Sequence, residues 1–375
     1  MKIAYTLTEN LHPGLKNKIF GQVELWESMG HHVDLVSHRD GMIFNTSGQV
    51  LYRDTHLAGR DYQLLKKMNA ARRLSLLKEQ YRFLASALAR LAPDLTYTRY
   101  AFPFMGLQKA FANGKPYVIE INSDDRTEYY IKHRSTGIYN HLFRRQFFSN
   151  ASGLVFVTCD LSRSSSFRKF KASREVIANG IDTRRFPFLE QTGNRYPQLC
   201  FVGSPNQRWH GLRQLGQIAV ALPEATVHVI GPSWEEYLAS GGRPSENMVF
   251  HGYLEDTAVK DTVAAMDVGI STLALYETRM NEACPLKARQ YFAQGIPTIG
   301  CYRDTDIQEG PFYLRLPNTP NNVKEGVGAI RTFVRNVHGN VLLRQKTRRF
   351  AECVLDTRIK EKKRTSFFEK ISHAR

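Results

Sequence analysis

The chain has 375 residues, a formal net charge of +17 and 42% hydrophobic residues, which suits two globular domains or one large one. Its 5 cysteines contain no CxxC pair, which argues against a zinc knuckle and against a disulfide scaffold. No apolar run approaches the roughly 20 residues of a membrane-spanning helix, and the start of the chain lacks the apolar segment of a signal peptide. We therefore expect a cytoplasmic protein in a reducing compartment, and peripheral contact with the inner face of the membrane stays open.

The positive charge is concentrated in two parts of the chain. Residues 51–200 hold 25 Lys and Arg against 12 Asp and Glu, and residues 301–375 hold 16 against 8. Residues 201–300, by contrast, hold 7 against 10. Nucleic acid, an anionic membrane surface and a phosphorylated substrate are the three partners that would account for this excess.

Ten short apolar runs, five in each half of the chain, predict β-strands. Stretches of helical pattern lie between most of them, and this alternation predicts parallel sheets covered on both faces. We place the linker at 183–197, where two prolines and a glycine interrupt the pattern. The fold class is thus α/β with two Rossmann-like domains, and ligands are expected at the carboxyl ends of the strands and in the cleft between the domains. The runs are KIAYTL, HVDLVS, DLTYTR, YVIEIN, GLVFVT, QLCFVG, TVHVIG, NMVFHG, VGISTL and PTIGC.

The segment LHPGLKNKIFGQ, residues 11–22, follows the first predicted strand. Gly14 would let the backbone approach a ligand closely, and the next helix is predicted to begin near Lys16 or Asn17. A helix N-terminus at this point favours phosphate or another anion, although a plain strand–helix turn explains the segment equally well. Because the segment has neither GxGxxG nor a P-loop motif, dinucleotide and P-loop binding are not predicted.

Residues 59–91 have the pattern of a basic amphipathic helix. Apolar side chains recur at roughly helical spacing, and Lys and Arg residues lie among them. The helix either packs on a sheet with a solvated basic face or touches anionic lipid. The run HLFRRQFFSN at 141–150 either extends such a surface or belongs to a core helix. The apolar positions are Leu64, Leu65, Met68, Leu74, Leu77, Tyr81, Leu84 and Leu88.

The segment CFVGSPNQRWHGLRQL, residues 200–215, predicts a strand, a loop and a helix. Arg208 and His210 stand just before Gly211, so cationic groups gather near the start of a helix. This arrangement suits a diphosphate leaving group. Packing of Trp209 and His210 into the loop would explain this segment equally well.

Two later strands, VHVIGP and VFHGYLED, each end at a glycine. Turns of this kind, at Gly252 and Tyr253 in the second case, leave backbone N–H and C=O groups free to hydrogen-bond a planar base. A simple strand-end turn is the common alternative, and the signal lies in the succession of two such strands.

The segment NEACPLKARQYFAQGIP, residues 281–297, carries the strongest signal. Pro285 suits the first position of a helix, because its missing N–H would be unpaired there. Gly295 suits the end of the helix, and Pro297 prevents its continuation. A short helix with a defined start is therefore predicted.

Three polar side chains surround the start of this helix. Lys287 lies in the first turn, where a cation opposes the helix dipole, and such a placement makes sense if an anion binds there. Glu282 precedes the helix, and Gln290 shares a face with Lys287. An N-terminal acid followed by two solvated side chains is the alternative.

Together these segments resemble the nucleotide-sugar glycosyltransferases of the GT-B fold, and family 4 in particular. VIANGIDTRRFPF resembles the linker entry PNGVD…F.P of that family, FVGSPNQRWHGL its G…KG loop, and EACPLKARQYFAQGIPTIG its E-x7-E…G.PVV signature. VHVIGP, MVFHGYL and AAMDVGIST are similar to its L.G.GP, V.F.G and ADV…PS elements. The resemblance covers most of the chain and is sharpest from about 176 to 300.

The resemblance implies roles for individual residues. Glu282 takes the place of the family's first glutamate, near the donor sugar, and Gln290 that of the second, which holds the ribose hydroxyls. Lys287 is expected near the donor phosphates. His210 stands for the lysine of the loop, with Arg208 as a second cation, and Asn122 falls where many members carry an active-site histidine. The candidate catalytic residues are Glu282, Asn122 and His210, and the candidate donor-binding residues are Gly14, Arg208, Gly211, Gly252, Tyr253, Lys287 and Gln290.

The resemblance also implies an architecture and a reaction. Two Rossmann-like domains would face each other across a cleft, an acceptor domain at 1–190 and a donor domain at 191–349, with a final helix at about 350–375 packed back on the first. The enzyme would move a sugar from a nucleotide-diphospho-sugar to a glycan or a lipid-linked saccharide. It would use no metal and no cofactor, and the anomeric configuration would be retained.

Three other interpretations stay open. Asp304 and Asp306 have the spacing of a metal-binding DxD pair of another fold, which we interpret as coincidence. A basic nucleic-acid-binding protein is not favoured, because no stretch has a known docking geometry. The replacement of the family's Glu, Lys and His by Gln290, His210 and Asn122 permits a catalytically weak GT-B relative that acts as a partner subunit.

Overall fold

The chain folds into two compact units. The first unit comprises Met1–Ile177 and Glu361–Arg375, and the second comprises Ala178–Lys360. The computed structural model describes residues 1–7, 13–57, 70–103, 107–111, 114–132 and 134–373.

The division between the units lies at residue 177, whereas the sequence prediction placed it near residue 190. Residues 178–190 are tied to the second unit by pairing and hydrogen bonds. Ile181 forms a parallel bridge with Asp356, and Thr183 Oγ1 donates to Asp356 at 3.0 Å. Arg344 Nε donates to the carbonyl oxygen of Leu189 at 2.9 Å.

The sheet of the first unit has eight strands in the order β4-β3-β2-β1-β5-β6-β7-β8. All neighbouring strands pair in parallel except β2 with β3 and β3 with β4. The parallel strands are mostly buried, as expected for a sheet covered on both faces, whereas the edge strand β8 has the sequence SREV and no buried residue. The strands are β1 (Lys2–Leu7), β2 (His32–Ser37), β3 (Met42–Asn45), β4 (Val50–Arg53), β5 (Leu95–Arg99), β6 (Tyr117–Ile121), β7 (Gly153–Phe156) and β8 (Ser173–Val176). The helices are α1 (Pro13–Ser28), α2 (Ala70–Leu91), α3 (Leu107–Phe111), α4 (Asp125–Lys132), α5 (Arg134–Ser149) and α6 (Cys159–Arg163).

The end of the chain contributes to the core of the first unit. Phe368 packs edge-on against Trp26, with ring centroids 5.2 Å apart, and it also contacts Tyr97. Trp26 Nε1 donates to the Glu361 carboxylate at 2.8 Å, and Arg364 Nε donates to the same carboxylate at 2.8 Å. The aromatic contacts and the buried ion pair explain why the chain after residue 360 belongs to this unit, whereas the prediction began the returning helix at about 350.

The main sheet of the second unit has six strands in the order β11-β10-β9-β12-β14-β16, and all its pairs are parallel. A separate two-stranded pair consists of β13 and β15. The strands are β9 (Gln198–Val202), β10 (Thr226–Ile230), β11 (Met248–Gly252), β12 (Val268–Ile270), β13 (Glu282–Ala283), β14 (Thr298–Gly300), β15 (Arg303–Asp304) and β16 (Tyr313–Arg315). The helices are α7 (Leu212–Ala221), α8 (Trp234–Ala239), α9 (Asp256–Ala264), α10 (Leu286–Ala293), α11 (Asn322–Val337), α12 (Val341–Phe350) and α13 (Thr357–His373), the last of which continues into the first unit.

The strand order of the second sheet reverses between β9 and β12. The chain moves outward from β9 to β10 and β11, and then returns to β12 on the other side of β9. Because these strands are parallel, their carboxyl ends share one edge, and a crevice forms where the order reverses. A ligand site is therefore expected in the loops that follow β9 and β12.

The ten predicted strands are present, but two predicted helix starts differ from the structure. Helix α1 begins at Pro13, so Gly14 lies in its first turn rather than in a preceding loop. Helix α10 begins at Leu286, and Pro285 caps it in an extended conformation. Helix α1 thus begins three or four residues earlier than predicted, and α10 begins one residue later, directly after Pro285.

The predicted helix at 59–91 is described from Ala70 onward. The predicted positions Leu64, Leu65 and Met68 lie outside the described residues. Tyr81, Leu84 and Leu88 are buried as predicted, but Leu74 is 45% exposed, so its assignment to the core face was wrong. None of the described helices has the length and apolar character needed to cross a membrane.

Candidate functional site

Three glycines close the carboxyl ends of β9, β10 and β11. Gly203 N–H donates to the carbonyl oxygen of Ile230 at 2.9 Å, and Gly231 N–H donates to that of Gly252 at 2.8 Å. Gly231 has φ +103°, and a Cβ there would stand 1.8 Å from the carbonyl oxygen of Gly203. Gly252 borders open space instead. The strand ends therefore meet backbone to backbone, and at Gly252 the backbone is open.

The loop after β9 is fixed at the point where the strand order reverses. It forms a short 3-10 helix, Arg208–His210, that ends at Gly211 in a left-handed conformation. A Cβ on Gly211 would stand 2.8 Å from Leu273 Cβ. Leu273 N–H donates to the His210 carbonyl oxygen at 3.2 Å, which joins this loop to the loop after β12.

The His210 side chain turns inward from this loop. Its ring packs edge-on against Phe201, with centroids 5.2 Å apart, and a Cβ on Gly203 would stand 2.7 Å from His210 Cε1. Nδ1 is buried and has no hydrogen-bond partner among the described residues. Burial, and then the nearby Lys287 ammonium, lower the pKa of His210 to about 2. His210 is therefore a neutral imidazole at pH 7 and adds no positive charge to the site.

Lys287 lies in the first turn of α10 and also contacts the Phe201 ring. Its Nζ lies 3.9 Å from the centroid of that ring. Nζ is buried and makes no hydrogen bond to any described residue. Burial holds the pKa of the Lys287 ammonium well below its usual range. An unpartnered buried amine is costly and rare, and its position at a helix N-terminus is suited to an incoming anion.

The loop before α10 is held by Asn179. Its Nδ2 donates to the carbonyl oxygen of Cys284 at 2.9 Å, and its own carbonyl oxygen accepts from Arg289 Nε at 3.0 Å. On the other side of α10, the Tyr291 hydroxyl accepts from Val202 N–H at 2.9 Å, at the end of β9. These bonds fix the start of α10 relative to the central strand.

Asp304 and Asp306, the pair with DxD spacing, bind cationic side chains. Arg289 is fully buried and binds both oxygens of Asp304, with Nη2 at 2.8 Å from Oδ1. Arg289 Nη2 also lies 3.0 Å from Asp306, whose other oxygen accepts from Lys360 Nζ at 2.7 Å. The described contacts of this pair are therefore those of a structural ion-pair network.

The Asp306→Asn substitution tests this structural role. We expect the free energy of unfolding to fall by about 1–3 kcal/mol, because one charged partner of Arg289 and Lys360 is lost. Donor hydrolysis per folded molecule should change by less than about threefold, since a residue outside the reaction contributes no transition-state stabilisation. Urea unfolding and a hydrolysis assay measure the two quantities. A loss of activity of a hundredfold with unchanged stability would instead indicate a metal ligand.

The structure brings several predicted site residues into one segment. Glu282 on β13 is 6% exposed. Its backbone lies opposite that of Arg303 in the parallel pairing of β13 with β15. Gln290 is half-buried on α10, where its Nε2 donates to Gln294 Oε1 at 3.2 Å. Lys287 lies between them in sequence, so this segment presents a carboxylate, an amine and an amide in succession.

Other predicted residues of the second unit lie at the surface. Arg208 is exposed at the start of the 3-10 helix. Tyr253 follows the open end of β11 and is 74% exposed. Their positions are compatible with contact to a ligand at the carboxyl edge of the sheet, and no described contact occupies the Tyr253 ring.

In the first unit, Asn122 follows β6 and is oriented by a buried carboxylate. Asn122 Nδ2 donates to Glu120 Oε1 at 3.1 Å, and Lys18 Nζ donates to the same oxygen at 2.9 Å. Burial alone would raise the pKa of this carboxyl, but Lys18, Arg364 and Arg99 hold that pKa well below its usual range. Asn122 is thus held by a carboxylate that stays ionised.

The sequence analysis missed Phe201, Asn179 and Glu120. Phe201 contacts both Lys287 and His210, Asn179 holds the loop before α10, and Glu120 orients Asn122. Phe201 and Glu120 occupy strand positions, where a buried aromatic residue is ordinary and a single acid gives no pattern. Asn179 did lie in the quoted linker segment VIANGID, so its place beside a glycine was the one available signal.

Comparisons with known proteins agree with this geometry. The family model of Glycosyltransferase Family 4 matches residues 20–185. No curated protein sequence matches the chain. Among solved structures, sucrose-phosphate synthase from Thermosynechococcus elongatus has a TM-score of 0.75 at 14% identity, with 100% of both chains covered. A glycosyltransferase from Rickettsia africae has a TM-score of 0.64 at 11% identity, covering 99% of this chain and 98% of its own. HepE from Anabaena, solved in complex with UDP-glucose, has a TM-score of 0.63 at 14% identity, and the match covers 99% of this chain and 100% of the HepE chain.

The two parallel sheets and the structural matches define the class of protein as a GT-B fold, as the sequence predicted. Residues 20–185 resemble Glycosyltransferase Family 4, in agreement with the glycosyltransferase class that the sequence predicted. The predicted enzyme class is thereby confirmed.

Proposed function

We propose that the enzyme moves a sugar from a nucleotide-diphospho-sugar to a hydroxyl group of a glycan or a lipid-linked saccharide. The observation that carries this proposal is the Lys287 amine, which is buried without a hydrogen-bond partner at the start of α10. A nucleotide sugar as donor is also supported by the Anabaena relative, which was solved with UDP-glucose.

In this proposal the donor diphosphate binds at the start of α10. Lys287 and the N-terminus of the helix stabilise the negative charge that develops as the nucleoside diphosphate leaves. Glu282 lies toward the donor sugar. Gln290 binds the ribose hydroxyls, since an amide donates and accepts hydrogen bonds. The base lies on the backbone edge near Gly252 and Tyr253, with Arg208 and Gly211 at the phosphate side.

We further propose that transfer needs no divalent metal and retains the anomeric configuration. An ammonium group and a helix N-terminus supply the charge stabilisation that a metal supplies in other sites. The network of Asp304 and Asp306 with Arg289 and Lys360 supports this view, because those carboxylates already bind cations. His210 would act as a neutral hydrogen-bonding group beside the phosphates.

The acceptor is proposed to contact the first unit. Residues 51–200 hold most of the excess positive charge, which suits an acceptor with phosphate or carboxylate groups, or an anionic membrane surface that presents it. Asn122 would hydrogen-bond a sugar or acceptor hydroxyl at the carboxyl end of β6, and α1, which contains Gly14, would favour an anion near its N-terminus.

A screen of UDP-, GDP- and ADP-sugars by thermal unfolding tests the proposal. One donor should raise the melting temperature, because a ligand that binds only the folded state stabilises it, and it should be hydrolysed slowly with EDTA present. NMR of the product should show the anomeric configuration of the donor. If no nucleotide sugar shifts the melting temperature, the donor assignment fails. If EDTA stops hydrolysis or the product is inverted, the corresponding part of the mechanism fails.

A further inference from the structure

Helix α5 exposes large apolar side chains at the surface of the first unit. Ile138 is 51% exposed and Leu142 is 65% exposed, and a spacing of four residues places them side by side on the helix. Phe143, one residue further, is 46% exposed. The opposite side of α5 is buried through Phe147 and other residues, so the helix is already packed in the fold and these three side chains remain outside.

The same exposed face is basic. Helix α5 contains no acidic residue, and Arg134 and Arg145 are exposed four residues before Ile138 and three residues after Leu142. At helical spacing both guanidinium groups lie on the side of the two aliphatic residues. We call Arg134, Ile138, Leu142 and Arg145 the basic apolar face. Phe143 lies about 100° further round the helix than Leu142, where its ring packs against Tyr139 with centroids 4.4 Å apart, so it is not part of this face.

Further cations gather near this face. Lys169 Nζ lies 5.4 Å from the centroid of the Phe170 ring, and the Arg144 guanidinium of α5 lies 5.4 Å from the same centroid. Burial, and then the neighbouring guanidinium groups of Arg144, Arg126 and Arg145, lower the pKa of the Lys169 ammonium. Among the described residues, Arg126, Arg145 and Lys169 form no ion pair that would neutralise them. The electrostatic repulsion within this group is a cost that an anionic partner would remove.

The nearby acidic residues are already engaged. Asp125 is buried and binds Arg144, with Oδ2 at 2.6 Å from Nε. Asp124 accepts from the Ser166 hydroxyl at 2.6 Å, and Glu128 accepts from Ser123. The serine hydroxyls are neutral and do not offset the charge of Asp124 and Glu128. The exposed cations outnumber these two carboxylates, so the net charge around the basic apolar face is positive; these cations are Arg126, Arg134, Arg145 and Lys169.

We propose that the basic apolar face docks on the surface of an anionic lipid bilayer. The aliphatic side chains of Ile138 and Leu142 would enter the headgroup region, and the flanking cations would contact lipid phosphates, the combination by which amphipathic helices bind membranes. A nucleic acid would satisfy the cations but leave Ile138 and Leu142 in water. Helix α2 is a poorer candidate, because Leu84 and Leu88 are buried in the fold. This inference rests on the proposed function in one respect: docking on a membrane would bring the enzyme to a lipid-linked acceptor.

Flotation of the full chain with lipid vesicles tests the proposal in the absence of either substrate. The protein should float with vesicles of phosphatidylcholine and phosphatidylglycerol and remain in solution with phosphatidylcholine alone. The double variant Ile138→Ser/Leu142→Ser should bind the anionic vesicles at least about tenfold more weakly, since two exposed aliphatic side chains no longer enter the lipid. Arg134→Gln/Arg145→Gln should bind about thirtyfold more weakly.

A matched control uses two equally exposed apolar residues of the second unit. Val220 is 65% exposed and Leu342 is 59% exposed, so Val220→Ser/Leu342→Ser should float as well as the wild type. All variants should melt and bind the donor like the wild type, which separates this inference from the donor assignment. The proposal is overturned if the wild type does not float with anionic vesicles. It is also overturned if the Ile138/Leu142 variant floats like its control, or if duplex DNA binds the wild type and this variant equally and displaces both from vesicles.

Discussion

Lys287→Met should lower kcat/KM for the donor by about 100- to 1000-fold, the usual loss when one charge-stabilising donor is removed. It should also raise the free energy of unfolding by about 1–3 kcal/mol, because the wild-type amine is buried without a hydrogen-bond partner and methionine has a similar shape. Urea unfolding and steady-state kinetics measure these opposite changes. A stabilised but inactive variant is the signature of a residue whose partner is the substrate.

The expected pH dependence follows from the position of Lys287. Its native pKa is held below the value in the unfolded chain, so between the two values the unfolded state binds the additional proton. The free energy of unfolding therefore rises with pH across this window. The stability advantage of Lys287→Met over the wild type should be largest at low pH and should shrink as the pH approaches about 10.

Donor binding should have the opposite pH dependence. A bound diphosphate favours the charged ammonium, so the site takes up a proton when the donor binds, and donor affinity falls as the pH rises. Calorimetric titration in buffers of different ionisation enthalpy measures the proton uptake. Lys287→Arg serves as control, because a guanidinium stays charged and takes up no proton. Equal proton uptake by both proteins, or unchanged kcat/KM in Lys287→Met, would remove Lys287 from the phosphate site.

Gly231→Ala should lower the free energy of unfolding by roughly 2–6 kcal/mol, the sum of left-handed backbone strain and overpacking. The added Cβ would stand 1.8 Å from the Gly203 carbonyl oxygen at φ +103°, and neither backbone segment can yield without separating β9 from β10. The folded fraction should also lose donor affinity, because the loop after β9 would move. Urea unfolding and donor titration at low temperature measure both effects.

Gly241→Ala is the matched control for this substitution. Gly241 also has a positive φ, +85°, but the nearest atom to an added Cβ is Arg213 Cδ at 3.6 Å. The free energy of unfolding of the control should therefore fall only by the cost of the left-handed conformation, about 1–2 kcal/mol. If the two alanine variants unfold at the same urea concentration, the close approach of Gly231 to Gly203 does not limit the packing of these strands.

The sequence predicted the sheets well because their strands are buried on both faces. Runs such as KIAYTL and QLCFVG are continuous and apolar, and they end at helices or glycines. Strand β4 was missed because all four of its residues, Val50–Arg53, are exposed at the edge of the sheet and carry no burial pattern. Strands β13 and β15 have two residues each, which is too short for any periodicity.

The site was predictable in part. The helix start at Pro285 and the oddly placed Lys287 are local features of the sequence, and the structure adds that the amine is buried without a partner. The neutral state of His210 could not be predicted, because its pKa depends on burial of the ring and then on Lys287, which is distant in sequence. The ion pair of Arg289 with Asp304 likewise depends on the pairing of β13 with β15.

The most direct test of a donor site at the start of α10 is a crystal structure with the nucleoside diphosphate of the donor that thermal unfolding selects. We expect Lys287 Nζ to leave the Phe201 ring and to lie at about 2.7–2.9 Å from a phosphate oxygen, the distance of a charge-assisted hydrogen bond. The diphosphate should also lie against the N-terminus of α10. A diphosphate bound elsewhere, with Lys287 still on the Phe201 ring, would contradict the assignment.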